Sequence, residues 1–300
     1  MKLFVFEYAS AGGEGGEPFL KEGTHMLSSL LGDLARLKSV EVSTILSPEV
    51  KGADFPAHRI VRPIRNFNRA VEDEMNISGA VWLIAPETGG ILMDITRMAE
   101  AMGKRIIGST SRAIELFSDK MSTAKRFEGL VPMPRTAELN GNLPFIPAII
   151  KPVDGAGCDG IFRVDETSLL PSVNGRYICQ PFIEGDTLSA GAIADAKGIR
   201  LLGVCRQDIE VRGRVTFKGV SGPVEYRRSK ELLDILGRLW EVSDRLAGYF
   251  GVDFIDNGKE IIIIEVNPRL TTSYPLYSKN FPGNLGGEIL SACGAELVVQ

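Results

Sequence analysis

Residues 251–269, GVDFIDNGKEIIIIEVNPR, constrain this chain more than any other stretch. Asn257-Gly258, after Asp256, is the strongest short marker of a β-hairpin. The segment beyond it, Ile261 to Ile264, is apolar on both faces and predicts a strand covered on both sides. Glu265 and Asn267 follow, two residues apart, so on a strand they point to the same side. Pro268 ends the strand and Arg269 stands at its mouth. Such an ending gathers two oxygen ligands and a fixed cation at one point. Hard oxygen ligands are what Mg²⁺ uses when it also grips phosphates. Asp253, on the preceding strand, is a third candidate ligand. A two-residue turn puts Asp253 and Glu265 on opposite faces, whereas a three-residue turn or a bulge puts them on the same face. The sequence leaves both open.

The first hundred residues alternate strand and helix. Strands are expected at 3–6, 41–46, 80–85 and 105–107, and helices at 24–37 and 91–102, the last ending at Gly103. That rhythm predicts a parallel sheet covered by helices, with ligands at the carboxyl ends of the strands. The residues there are 7–13, 86–90 and 108–109, rich in glycine and carboxylate. From Ser111, a candidate helix cap, the pattern changes. Asp119-Lys120 opens a short helix that Gly129 closes, and Val131-Pro132-Met133-Pro134 must be extended. Strands then dominate, at 148–151, 161–164, 177–182, 187–195, 200–207 and 222–226. One long amphipathic helix, 230–250, is expected before the hairpin.

The composition excludes several classes. A net charge of −4 gives no nucleic-acid footprint, and no run of 18 apolar residues predicts a membrane span. The N-terminus meets Glu7 too early for a signal peptide and reads as a strand. Cys158, Cys179, Cys205 and Cys293 form no CxxC pair, which suits a reducing cytoplasm and argues against a zinc site. His25 and His58 read as structural or surface residues. Arg59, Arg62, Arg65 and Arg69 form a local basic stretch, which Pro63 keeps from being one helical face.

Residues 155–160, GAGCDG, match G-x-G-x-x-G letter for letter. A dinucleotide site needs a helix after that loop, so that its N-terminus meets the pyrophosphate. Here Ile161-Phe162-Arg163-Val164 alternates and is β-like. The loop is therefore expected to be a glycine-rich hairpin whose backbone N–H groups can lie over phosphates. Lys151 leaves the strand before it and can hold a phosphate as a point charge. No P-loop pattern occurs.

Taken in order, four motifs resemble the ATP-grasp superfamily of ADP-forming carboxylate–amine ligases. They are Ser118-Asp119-Lys120 with 129–134, Ile150-Lys151-Pro152 with the 155–160 loop, 179–186 (CQPFIEGD), and Asp253 with Glu265, Asn267 and Arg269. Together they cover roughly residues 108 to 270. The resemblance implies an α/β fold, α+β overall: an N-terminal unit over 1–108, then subdomains over 109–182, with the glycine lid, and 183–300, with a Mg²⁺ site. It implies that Lys120 and Lys151 contact ATP phosphates beneath the lid glycines Gly155, Gly157 and Gly160. Adenine is expected at a hinge that offers the Pro181 carbonyl, the Ile183 N–H and the Gln180 side chain, with Asp186 or Glu184 on ribose. Asp253, Glu265 and Asn267 are the implied ligands of Mg²⁺, with Mn²⁺ as an alternative. Arg269 and Lys151 are the implied catalytic residues.

Within that superfamily the N-terminal third is similar to the tyramine–glutamate ligase group, whose members join the γ-carboxylate of glutamate to tyramine in methanofuran-type biosynthesis. The segments that carry this are Phe4-Val5-Phe6-Glu7-Tyr8, Glu22-Gly23-Thr24-His25-Met26-Leu27 and 82–88. Glu7, Tyr8 and Glu87 are the implied contacts to small-molecule carboxylate and amine substrates. Another amino-acid or peptide ligase, or a nucleotide-binding regulator without turnover, are the alternatives, and a homodimer is left open. The physical case stands beside the resemblance. A carboxylate must be activated before an amine can attack it, and phosphoryl transfer asks for positioning and charge neutralisation rather than a side-chain nucleophile.

Overall fold

The structure, a computed structural model, describes residues 1–51, 55–63, 67–141, 143–167, 170–244 and 246–296. Arg65 lies outside them. The first third runs β1 (Lys2–Glu7), α1 (Leu20–Leu34), β2 (Glu41–Ile45), β3 (Arg59–Val61), α2 (Phe67–Ile77), β4 (Ala80–Ile84), α3 (Ile91–Ala101) and β5 (Arg105–Ile106). The strands form one parallel sheet in the order β3-β2-β1-β4-β5. Helices cover it, so β4, AVWLI, is buried along its whole length. With β2 on one flank of β1 and β4 on the other, the winding reverses between β1 and β4. The crevice at their carboxyl ends is where such sheets bind ligands. Glu7 closes β1 and Glu87 follows β4, so both stand at this crevice.

The rest of the chain runs α4 (Ser111–Ser118), α5 (Lys120–Arg126), β6 (Ala137–Glu138), β7 (Ala148–Pro152), β8 (Phe162–Val164), β9 (Tyr177–Pro181), β10 (Asp186–Asp195), β11 (Gly198–Arg212), β12 (Arg214–Val224), α6 (Ser229–Glu241), β13 (Gly248–Asp256), β14 (Ile261–Asn267), α7 (Tyr274–Asn280) and α8 (Leu285–Ala292). Its strands form an antiparallel sheet in the order β14-β13-β10-β11-β12-β8-β7-β9-β6. Asp119 caps α5 by accepting the Ser122 N–H at 2.7 Å. The cap of α4 is Thr110 rather than Ser111, whose N–H and hydroxyl instead donate to Glu100.

Two elements differ from expectation. The helix expected over 230–250 stops at Glu241, and Tyr249 and Phe250 belong to β13. The alternation Phe250, Val252, Phe254, all buried, matches the two-residue period of a strand paired with β10, and it overrides the helical spacing. The strands expected at 200–207 and 222–226 are parts of one long hairpin, β11–β12, turning at Gly213.

The C-terminal helices return to the first sheet. Asp33, buried on α1, accepts from the Tyr274 hydroxyl at 2.6 Å, the Ser278 hydroxyl at 2.8 Å and the Arg36 guanidinium, while Asn284 donates to its backbone carbonyl at 2.7 Å. Leu27, Leu30 and Leu31 share one apolar cluster with Leu270, Leu285 and Ile289. This joint sets the parallel sheet against the end of β14, and so brings Glu87 to Arg269. The arginines of the basic stretch that are described have structural partners. Arg59 pairs with Glu74 at 3.0 Å, Arg69 with Asp73 at 3.0 Å, and Arg62 donates to the carbonyls of Ser47 and Val50. His58 accepts the Val42 N–H through Nδ1 at 3.1 Å.

Candidate active site

The hairpin that opens the sequence argument turns through four residues, 257–260, and not two or three. Asn257 Oδ1 holds it by accepting the N–H groups of Lys259 and Glu260. Register alone would then put Asp253 opposite Ile264. A bulge corrects it: Phe254 pairs with Ile263, but Asp253 pairs with Glu265. The two carboxylates therefore face each other on one side of the sheet, and Asn267 follows on that side. Asn267 Nδ2 donates to Asp253 Oδ2 at 3.2 Å, and Gln207 Nε2 donates to Oδ1 at 2.9 Å. Burial, together with the charge of Glu265, pushes the Asp253 carboxyl up to about 7. Burial also acts to raise Glu265, but Lys120, Lys151 and Arg269 outweigh it and hold that carboxyl below its usual value.

This donor set fits a hard divalent cation. Among the described residues no group of three or more His, Cys, Asp or Glu side chains gathers around one point. Two carboxylates and an amide oxygen are what the chain offers there, and a Mg²⁺ ion completes such a shell with phosphate oxygens and water.

The lysines approach from the opposite side. Lys120, the first residue of α5, lies 3.0 Å from Glu265 Oε1 and donates to the Gly155 carbonyl at 2.6 Å. Lys151, on β7, is buried, and burial lowers its ammonium to about 8 although Glu265 opposes the shift. The glycine loop joins β7 to β8, as expected, and no helix follows it. It is seated against the N-terminal unit. Asp154 Oδ2 accepts the Gly89 N–H at 3.0 Å, and a Cβ on Gly157, at φ +66°, would meet Phe19 Cε1 at 2.5 Å. Both the backbone and the ring therefore require glycine there. Cys158, beside it, feels the same carboxylates and lysines, and burial pushes its thiol up to about 12.

At the hinge, Gln180 donates its amide nitrogen to Thr136 at 2.9 Å, which leaves its oxygen as an acceptor. Pro181 ends β9, Ile183 is half-buried beyond it, and Glu184 is exposed. Asp186 pairs with Arg206 at 2.9 Å.

At the parallel-sheet crevice the three expected residues have partners within the fold. Glu7 accepts the N–H groups of Ala9 at 3.1 Å and Ser10 at 2.7 Å, one on each oxygen. Burial raises its carboxyl above the usual range. The Tyr8 hydroxyl donates to the Glu14 carbonyl, and its ring lies where a Cβ on Gly13 would be. Glu87 Oε2 accepts from Arg269 at 2.7 Å. Glu87 and Arg269 thus link the two ends of the site across 182 residues of chain.

Sequence reasoning missed Gln207 and the Asp33–Tyr274 joint. Gln207 carried a faint signal, a polar residue two positions from buried Cys205 on the same strand face. Asp33 carried none.

Residues 117–273 match the ATP-grasp domain, and residues 40–114 match the pre ATP-grasp 3 domain. The chain belongs to the ATP-grasp family. It is 31% identical to the tyramine–L-glutamate ligase of Methanocaldococcus fervens, over 90% of this chain and 87% of that one. It is 29% identical to the enzyme of the same name from Methanocaldococcus jannaschii, over 90% and 83%. A crystal structure of an ATP-grasp superfamily protein from Archaeoglobus fulgidus superposes with a TM-score of 0.77 at 27% identity, covering 99% of this chain and 89% of that one. The chain is an ATP-dependent carbon–nitrogen ligase that acts on a small-molecule carboxylate and an amine. No helix among the described residues is long and apolar enough to cross a membrane.

Proposed function

We propose that this ligase joins the γ-carboxylate of L-glutamate to the amine of tyramine. The observation that carries the reading is a single cluster of side chains. In it Lys120 touches both Glu265 and the glycine loop, while Arg269 reaches from the end of β14 to the parallel-sheet crevice. Relatives of that name, matched over most of both chains, support the choice of substrates.

In this reading the glutamate carboxylate oxygen attacks the γ-phosphorus of ATP. The bond to the bridging oxygen breaks, and ADP and an acyl phosphate form. The tyramine nitrogen then attacks the acyl carbon, loses a proton, and inorganic phosphate leaves. Lys120 and Lys151 hold phosphate oxygens as fixed cations, and the loop 155–160, with Gly155, Gly157 and Gly160, covers them and excludes water. Arg269 faces the carboxylate being activated. Asp253, Glu265 and Asn267 hold Mg²⁺, which neutralises phosphate charge. The hinge receives adenine through the Pro181 carbonyl, the Ile183 N–H and the Gln180 oxygen. Asp186 or Glu184 takes ribose, and exposed Glu184 is free of the pairing that Asp186 makes with Arg206.

The test is ADP release from ATP across a panel of amino acids paired with amines. The reading expects L-glutamate with tyramine to stimulate release well above either alone. If tyramine is inert and another pair works, the substrates proposed are wrong and the ligase remains.

A further inference from the structure

Glu87 is buried and Arg269 is partly buried, with side chains 6% and 14% exposed, and one hydrogen bond of 2.7 Å joins them. The pair is half made. Glu87 Oε1 and Arg269 Nε are each fully buried and have no partner. Arg269 spends a second nitrogen on the Leu270 carbonyl at 3.2 Å. A buried ion pair that served the fold alone would use both carboxylate oxygens in a two-bond fork with the guanidinium, because orphaned buried charge costs more than the single bond returns. Arg269 lines a space about the size of a water molecule together with Trp82, Thr96, Ser109 and Tyr249.

The other crevice carboxylate behaves differently. Each oxygen of Glu7 accepts a backbone N–H group, so both are already held by the chain itself. Glu87 is the one with a spare oxygen, and its partner is the arginine at the end of the catalytic strand. The loop that carries Glu87 also holds the glycine loop, through the Gly89 N–H and Asp154.

We propose that Glu87 is a placeholder for the substrate carboxylate. It occupies Arg269 until that carboxylate arrives and takes the guanidinium in a two-bond fork. The released Glu87 then receives the ammonium of the amine substrate. The exchange makes the amine site only after the carboxylate site is filled, so Glu87 sets the order of binding. This rests on the ligase reading of the site but not on glutamate or tyramine being the substrates.

The experiment is calorimetric titration of formate, a minimal carboxylate, and of L-glutamate into wild type and Glu87→Gln, with ADP and Mg²⁺ present. Glu87→Gln keeps the shape and removes the competing charge. It should bind formate at least roughly tenfold more tightly than wild type, the lower end of what one charge-assisted hydrogen bond is worth. In turnover it should raise KM for the amine far more than it lowers kcat. Equal or weaker formate binding by a folded Glu87→Gln would show a permanent structural pair and overturn the proposal. A wild-type measurement stands if the variant does not fold. Tyramine should bind roughly tenfold more tightly once L-glutamate and ADP are present, and unchanged affinity overturns the exchange. If neither L-glutamate nor tyramine binds wild type at all, the substrate reading fails, and the formate titration still decides the exchange.

Discussion

The two sides of the cleft are built to different standards. The side that carries Asp253, Glu265 and Asn267 rests on β10, β13 and α6. Its core includes Leu236, Leu239, Phe250, Val252, Phe254 and Ile263, nearly all sealed from solvent. The side that carries Lys151 and the glycine loop rests on Ala148, Ile150, Val164 and Cys179, with half-buried neighbours such as Phe145 and Phe162. Its hairpin joins the long β11–β12 hairpin through one residue pair, Phe162 with Arg214. Asp159 adds an exposed ion pair to Arg214 at 2.7 Å, of a kind that contributes little. The lesson is a division of labour. The carboxylates proposed to hold the metal sit on the thick core, and the loop proposed to cover phosphate sits on the thin one.

The sharpest way to break this comparison is at the carboxylates. Glu265→Ala should lower kcat/KM at least about a thousandfold, as loss of a preorganised charge in a reaction site does, while circular dichroism reports an intact fold. Retention of a tenth of the activity would mean that the rigid side does not carry the chemistry.

Truncating each core comes next. Phe254→Ala should cost about 3–5 kcal/mol in urea unfolding, and Ile150→Ala nearer about 2 kcal/mol, because the smaller cluster can relax around the loss. Equal costs would remove the distinction between thick and thin.

Hydrogen exchange gives the third comparison. Amides of 155–160 should exchange at least roughly tenfold faster without nucleotide than with it, whereas those of β13 stay slow in both states. Equally slow loop amides in both states would make the loop a fixed cradle.

The smallest effect is in pH. Burial holds the Lys151 ammonium at about 8, below the usual lysine value, so free enzyme carries the charge proposed to bind phosphate below that pH and loses it above. KM for ATP should rise about fourfold between pH 7 and 8.5, and Lys151→Arg should flatten the rise. A flat wild-type profile would place Lys151 outside phosphate binding.

Much of this was legible in the sequence because it is local. The β1, β4 and α3 segments, the start of α5 at Asp119-Lys120 and the strand after Gly160 follow from short-range periodicity and turn chemistry. So does the polar end of β14, which Pro268 closes. What was not legible depends on pairing. The face of Asp253 hung on one extra residue at Ile264, which the isoleucine run conceals because every position in it is apolar. The end of α6 was hidden because Leu246 and Tyr249 fit a helical spacing, although Leu246 lies between α6 and β13 and Tyr249 lies on β13. The partner of Glu87 needed the assembled molecule. Residue spacing cannot say that Arg269, 182 residues away, would take one oxygen of Glu87.

The γ-phosphoryl group of ATP is proposed to pass to a carboxylate at this site. Chromatography of the nucleotides after turnover with Mg²⁺, L-glutamate and tyramine tests this transfer most directly. ADP and inorganic phosphate, each in step with the amide formed, are the expected products. AMP and pyrophosphate as the main products would contradict it.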